Sequence, residues 1–152
     1  MRWRKSVLVV TVLALCAAAA PAQASCSPAP FVAGYREAQG RILTIGDFLG
    51  RELSRASGMT NGQIAGQFAF IARETRRGAA DIGRLEPPAA LAGLTRRLRA
   101  ALAAAAEDMA AISRGARYGA VETVRQATVN LLSDSRRIRA ARRSLSRATQ
   151  CT

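Results

Sequence analysis

Two adjacent prolines, Pro87 and Pro88, divide this chain into two long segments that both have helical patterning. Proline has no backbone N–H and disfavours helical geometry in the residue before it, so no single helix can continue through this point. Counted from Ser25, the segments 25–88 and 89–152 contain 64 residues each. Each segment has the pattern of a helical hairpin.

Apolar residues of the first segment recur at steps of three and four, which places them on one face of a helix. The first stripe consists of Phe31, Tyr35, Ala38, Ile42, Ile45, Leu49 and Leu53. It predicts a helix over about 31–57 that ends at Gly58 in the left-handed conformation. The second stripe consists of Ile64, Phe68, Ile71, Thr75, Gly78, Ile82 and Leu85. It predicts a helix over about 61–85, with Thr60 and Gln63 forming a capping box at its start.

The second segment repeats this organisation, and Pro88 suits the first turn of its first helix. The third stripe consists of Leu91, Leu94, Leu98, Leu102, Ala105, Met109 and Ile112. It predicts a helix over about 89–113 that is closed by residues 113–116. The fourth stripe consists of Val121, Val124, Leu131, Ile138 and Leu145, with Thr128, Ser135 and Arg142 at the intervening positions. It predicts a helix over about 117–148.

No segment alternates as a strand would, and the helices are joined by short loops. This combination favours an all-α, antiparallel up-down-up-down four-helix bundle with coiled-coil-like heptad packing. An even number of antiparallel helices brings the two ends of the bundle domain, residues 25–152, together. Cys26 precedes the first helix and Cys151 follows the fourth, so we predict a disulfide between them. An intermolecular bridge is the alternative.

Residues 1–24 have the pattern of a signal peptide that is cleaved after Ala24. A positive start with Arg2, Arg4 and Lys5 precedes an apolar run over 7–20 and an Ala-x-Ala site at 22–24. The predicted location is therefore secreted or at the cell envelope. Two alternatives are an uncleaved N-terminal anchor and a lipoprotein attached through Cys16.

The chain that remains after cleavage contains 20 arginines and 10 acidic residues, a formal charge of +10, with no lysine and no histidine. A GC-rich genome accounts for a preference for arginine over lysine. Whatever its origin, such a charge attracts an anionic polymer, an anionic lipid surface or an acidic protein. The candidate anion-binding face on the fourth helix consists of Arg125, Arg136, Arg139, Arg143 and Arg147. The alternative is that these arginines only solvate the bundle. Nucleic acid is not expected as a partner of an exported chain with few aromatic residues.

Small polar residues interrupt two of the stripes near mid-length. Thr75 and Gly78 in the second helix and Thr128 and Ser135 in the fourth fall at levels that coincide in an antiparallel bundle. They are candidates for lining a ligand cavity. The alternative is close helix packing, with the hydroxyl groups bonded back to helix carbonyls.

Catalytic patterns are absent from the sequence. Without histidine there is no imidazole acid–base chemistry and no histidine metal ligand. The adjacent Glu107 and Asp108 point in different directions on a helix, so they do not form an acid–base pair. We expect no cofactor, no metal and no enzymatic activity. The expected function is an interaction module with a basic face. One alternative is a small-molecule carrier, and the other is an enzyme, which would need acidic and arginine groups that converge in a cleft.

The predicted signal peptide, the Leu85-Glu86-Pro87-Pro88 step and Cys151 near the end resemble a group of small secreted helical-bundle proteins of high-GC Gram-positive bacteria. The resemblance implies a helical bundle and export. It supplies no site residues, and it does not account for the arginine-rich fourth helix.

Overall fold

The computed structural model describes residues 29–150, and residues 1–28 and 151–152 lie outside it. The described chain forms an all-α, up-down-up-down bundle of four helices. The helices are α1 (Ala29–Arg55), α2 (Asn61–Arg84), α3 (Ala89–Tyr118) and α4 (Val121–Thr149). The predicted fold class is therefore confirmed, and the two prolines lie in the connection between α2 and α3 as expected.

The capping box at the start of α2 has both of its predicted hydrogen bonds. The Gln63 backbone N–H donates to the Thr60 hydroxyl at 3.2 Å, and the Thr60 backbone N–H donates to the Gln63 side chain at 2.8 Å. The predicted left-handed end of α1 at Gly58 is wrong. The chain tightens into a 3-10 turn over Ala56–Gly58 and passes through an extended Met59, so this connection needs no left-handed residue.

The third helix does not end at 113 as predicted, because Gly115 and its neighbours pack against other helices. A methyl group on Gly115 would approach Val124 Cγ2 of α4 to 2.7 Å, so this glycine permits a close contact between helices. The actual end is Gly119, with a φ of 66°. Ala120 N–H bonds back to the Gly115 carbonyl at 2.8 Å, which completes a Schellman motif. Helix α4 consequently begins at Val121, later than predicted.

Helix α3 makes the most extensive contacts in the bundle, with α2 on one side and with α4 on the other. Small residues allow this approach: the buried Ser113 hydroxyl of α3 donates to the backbone carbonyl of Ala65 in α2 at 2.7 Å. Two core clusters follow along the bundle axis. One is centred on Tyr35, Ile82 and Leu98, and the other on Ile71, Met109 and Leu131.

The buried face of α4 differs from the predicted stripe, and this difference shapes the molecule. Leu131, Ile138 and Leu145 contact the core as predicted, but Val121 is 77% exposed. The helix is rotated towards α3 and buries a second set of residues instead: Ala127, Asp134, Ala141 and Thr149. This rotation leaves α4 in sparse contact with α1. On α1, Leu53 is similarly 40% exposed, contrary to its place in the first stripe.

Candidate functional site

A cavity of about 300 Å³ lies between α1 and α4 near the middle of the bundle. Its floor is apolar: Leu102, Ala105 and Met109 of α3 are each at most 3% exposed. The α1 side is formed by Ile42, Leu43, Ile45 and Leu49. Towards the Tyr35 end of the bundle α1 and α4 meet again, because the Tyr35 hydroxyl donates to the Arg142 carbonyl at 3.2 Å. Burial raises the pKa of Tyr35, so this hydroxyl keeps its proton.

Three of the four residues that were predicted from the sequence to line a cavity do line this cavity. Thr75, Gly78 and Ser135 are part of its wall, whereas Thr128 is not. The hydroxyl of each threonine donates to the backbone carbonyl four residues earlier, at 2.8 Å in both cases. Those two hydroxyls therefore already have an acceptor, as the close-packing alternative expected. Ser135 also lines the cavity, and its hydroxyl has no hydrogen-bond partner among residues 29–150.

Charged groups line the cavity at its α4 side and its α1 edge. Arg139 and Arg142 come from α4, and Asp47 comes from α1. Arg139 and Asp47 are exposed, while Arg142 is partly buried. The Arg142 Nε is buried and has no hydrogen-bond acceptor among residues 29–150. A buried charged donor without an acceptor is unusual, since such groups are nearly always satisfied in folded proteins.

Arg142 is not among the residues predicted from the sequence to line a cavity, because an arginine at an intervening position of the fourth stripe does not by itself indicate a ligand group. The signal was present in the pattern: Arg142 lies seven residues after Ser135, one heptad further along the same face of α4. The heptad pattern does not show that α4 is rotated towards α3. This rotation moves the face that carries Ser135 and Arg142 out of the core and onto the cavity.

The antiparallel arrangement also concentrates the positive charge at one end of the bundle. We define the basic half as residues 29–46, 73–106 and 135–150, which surround the Tyr35 core cluster. It contains 15 arginines and 4 acidic residues, a formal charge of +11. The other half, residues 47–72 and 107–134, contains 5 arginines and 6 acidic residues, a charge of −1. All of the net positive charge therefore belongs to one end of the molecule.

The predicted anion-binding face is divided between these two halves. Arg136, Arg139, Arg143 and Arg147 are exposed in the basic half, and none of the four has a carboxylate within 4.0 Å among the described residues. Arg125 lies about 16 Å earlier along the helix axis, at 1.5 Å per residue. Both its Nε and its Nη2 donate to Glu122, at 3.1 and 2.8 Å. The structure thus brings four of the five residues together and neutralises the fifth.

A pair of carboxylates lies between α3 and α4 that was not predicted from the sequence. Asp108 and Asp134 line one recess, and Asp134 is only 5% exposed, with Arg137 at 3.1 Å. Partial burial, followed by the charge of Asp134, raises the pKa of Asp108. Glu107 also borders this recess, but its carboxylate pairs with Arg76 of α2 at 2.9 Å, whereas Asp108 faces Asp134 of α4.

Several predictions concern residues outside the described range or remain predictions. Cys26, Cys151, Cys16 and the proposed cleavage site all lie outside residues 29–150. The described ends of α1 and α4 are at the same end of the bundle, where Gln39 donates to Ser146 at 3.3 Å. Among the described residues, no helix is long and apolar enough to span a bilayer, and no three acidic or cysteine side chains converge as metal ligands.

The fold and its surfaces define the class of this protein as an all-α four-helix bundle with a lateral cavity and one strongly basic half. Comparison with protein-family models, curated proteins and solved structures finds no match to this chain. The proposals that follow accordingly rest on the residues and their geometry.

Proposed function

We propose that this chain is an exported, non-enzymatic binding module that docks through its basic half on a phosphate-bearing anionic surface of the cell envelope. The observation that carries the proposal is the division of charge, +11 in one half against −1 in the other. Uniform arginine enrichment would solvate every face of a bundle. A polarised distribution orients the molecule in an electric field and presents one end to an anionic surface.

Ion pairing within the basic half leaves most of its arginines available. Five of the 15 have a carboxylate within 4.0 Å. The other ten have none among residues 29–150. Guanidinium groups bind phosphate oxygens in a bidentate manner, which favours phosphate-bearing surfaces as partners. Each arginine close to an anionic lipid surface contributes about 1 kcal/mol.

Export is part of the proposal and is supported by the pattern of residues 1–24 and by the cysteines that flank the bundle. The absence of histidine and lysine from residues 25–152 supports a role in binding rather than in catalysis. Mass spectrometry of the protein from its own host's exported fraction tests the location. We expect a chain that begins at Ser25 and is two hydrogens lighter than the dithiol form. Lipid on Cys16 would instead make the protein a membrane-anchored lipoprotein.

Cosedimentation with lipid vesicles across a salt series tests the surface itself. The probe variant replaces Arg136, Arg143 and Arg147 with glutamine. The matched control replaces Arg114, Arg117 and Arg125, which removes the same charge from the other half. Arg139 is kept in both variants because it borders the cavity.

We expect the wild-type protein to bind vesicles that contain phosphatidylglycerol and not vesicles of phosphatidylcholine alone. Removal of three arginines should weaken binding by about 3 kcal/mol, roughly a hundredfold, in the basic half only. Binding should fall steeply as the screening length shortens from about 8 Å at physiological salt to about 3 Å at 1 M. Equal losses in both variants would contradict a directed surface. Binding to soluble polyphosphate but not to lipid would identify a phosphate polymer as the partner.

A further inference from the structure

The cavity between α1 and α4 has the chemistry of a small-molecule site, and its two arginines, Arg139 and Arg142, belong to the basic half. Its floor of Leu102, Ala105 and Met109 belongs to the core of the bundle. A ligand body in contact with these side chains has to be apolar, because a polar group there would lose its hydrogen bonds to water without replacement.

One end of that apolar space carries a cationic group that lacks an acceptor. Side chains on a helix lean towards its N-terminus, so Arg142 extends from the level of Tyr35 towards the level of the cavity. Its Nε is buried and has no acceptor among the described residues. A carboxylate satisfies such a donor with a charge-assisted hydrogen bond, stronger than one to a neutral oxygen. Ser135 adds a hydroxyl to the same wall.

The charges around the cavity limit the charge of the ligand. Arg139 and Arg142 together with Asp47 give the lining a net charge of +1. A ligand with one negative charge neutralises this lining, whereas a second negative charge at its other end would have to lie in the apolar floor. Burial of an unpaired charge there is strongly unfavourable.

The volume limits the length of the ligand. About 300 Å³ is at the lower end of the range for small-molecule sites. At about 30 Å³ for each water-sized unit, the space accommodates on the order of ten non-hydrogen atoms.

We infer that the α1–α4 cavity binds a small amphiphilic monocarboxylate, with its carboxylate on Arg142 and Arg139 and its apolar chain against the α3 floor. Octanoate, which has eight carbons and two oxygens, matches both the size and the charge. The site lies beside the proposed anionic-surface contact and does not depend on it.

Isothermal titration calorimetry with octanoate, on the full bundle domain with its cysteines intact, tests the site. Octanol has the same chain without the charge, and suberate has the same length with a second carboxylate. The probe variant is Arg142→Gln, which retains a polar side chain but removes the cationic donor. The matched control is Arg143→Gln, which removes the same charge one residue away on the exposed side of α4.

We expect octanoate to bind the wild-type protein at least about tenfold more tightly than octanol or suberate. Arg142→Gln should weaken octanoate binding by about tenfold or more, the effect of losing one charged hydrogen bond, and Arg143→Gln should leave it within about twofold. The variant that lacks Arg136, Arg143 and Arg147 should still bind octanoate even if it no longer binds vesicles.

Three results would overturn the inference. Octanoate that does not bind at millimolar concentration would exclude the site. Equal affinity for octanol and octanoate would exclude a role for the arginine. Equal weakening by the Arg142 and Arg143 substitutions would reduce the effect to general charge attraction. If Arg142→Gln is not folded by circular dichroism, Gly78→Leu, which fills the cavity from α2, serves in its place and should abolish binding.

Discussion

Replacement of Gly78 by alanine should stabilise the bundle, and the size of the effect reports on the cavity. Gly78 is buried within α2 and lines the cavity. A methyl group at this position would have its nearest neighbour, Ile42 Cγ1, at 3.7 Å, an ordinary van der Waals contact. No atom has to move to accept it.

Two contributions both raise the free energy of unfolding of Gly78→Ala. Alanine is favoured over glycine in a helix interior by about 1 kcal/mol, because the unfolded chain has fewer conformations to lose. Burial of one additional carbon in an apolar environment contributes about 0.8 kcal/mol. The free energy of unfolding should therefore rise by roughly 1.5–2 kcal/mol.

Gly66→Ala is the matched control on the same helix. Gly66 is exposed, and a methyl group there meets nothing within 4 Å, so only the helix-propensity contribution of about 1 kcal/mol applies. Urea denaturation followed by circular dichroism measures both variants, and the comparison of midpoints at a constant m-value avoids extrapolation error.

The difference between the two variants is the decisive quantity. If Gly78→Ala is less stable than the wild type, α1 leaves no room for a methyl group at position 78, and the cavity at that level does not exist. If the two variants gain equally, the new methyl group at position 78 is in water. Either outcome would refute the reasoning that places Gly78 in the wall of an apolar space.

Three further predictions follow from other parts of the fold. Gly115→Ala should destabilise the protein, by about 1–3 kcal/mol, because the new methyl group would lie 3.2 Å from the Ala120 carbonyl oxygen and 2.7 Å from Val124 Cγ2. Gly93→Ala in the same helix, with nothing within 4 Å, should stabilise it, and thermal unfolding of the pair tests the opposite signs. Asp108→Asn should raise the free energy of unfolding at pH 7 but not at pH 3. The folded-state pKa of Asp108 is raised, so the contribution of this carboxyl group to stability is fully present below its unfolded pKa of 3.8 and is lost as the pH rises through its folded pKa. A gain that is the same at both pH values would contradict this cause. If Cys26 and Cys151 are bridged, closure of a loop of about 125 residues stabilises the fold by about 5 kcal/mol, so reduction of the disulfide should lower the urea midpoint. Thiol titration that finds two free thiols in the folded protein would exclude the bridge.

The number and type of the elements could be predicted from the sequence because local chemistry decides them. Apolar steps of three and four define four helical faces, and Pro87 and Pro88 interrupt the chain between the second and the third. The Thr60 capping box involves a contact over only three residues, so its two hydrogen bonds could be predicted directly. The same local reasoning failed at Gly115, because a glycine near a helix end is compatible with termination and with close packing, and only the neighbouring helix distinguishes the two. It failed at Gly58 because a 3-10 turn ends the helix there without a left-handed residue.

The candidate site was partly predictable for the same reason. Thr75, Gly78 and Ser135 stood out because they are small or polar at positions where a helix normally buries a large apolar side chain. Arg142 did not stand out as a ligand group, and Thr128 was nominated although it lies outside the cavity. Both errors have one origin: the heptad pattern gives the residues on a face but not the direction in which that face turns.

The four helices, their antiparallel order and the total charge could be predicted from the sequence, since each depends on residues close together in the chain or on composition alone. The rotation of α4, and with it the candidate binding surfaces, depends on contacts between helices. Close packing of α4 on the small residues of α3 buries Ala127, Asp134 and Ala141 and opens the space next to α1. The separation of charge, +11 in the basic half and −1 in the other half, likewise arises only when residues far apart in sequence are brought to the same end of the bundle. Both features follow from packing between helices, which is a property of surfaces in contact and not of any single segment.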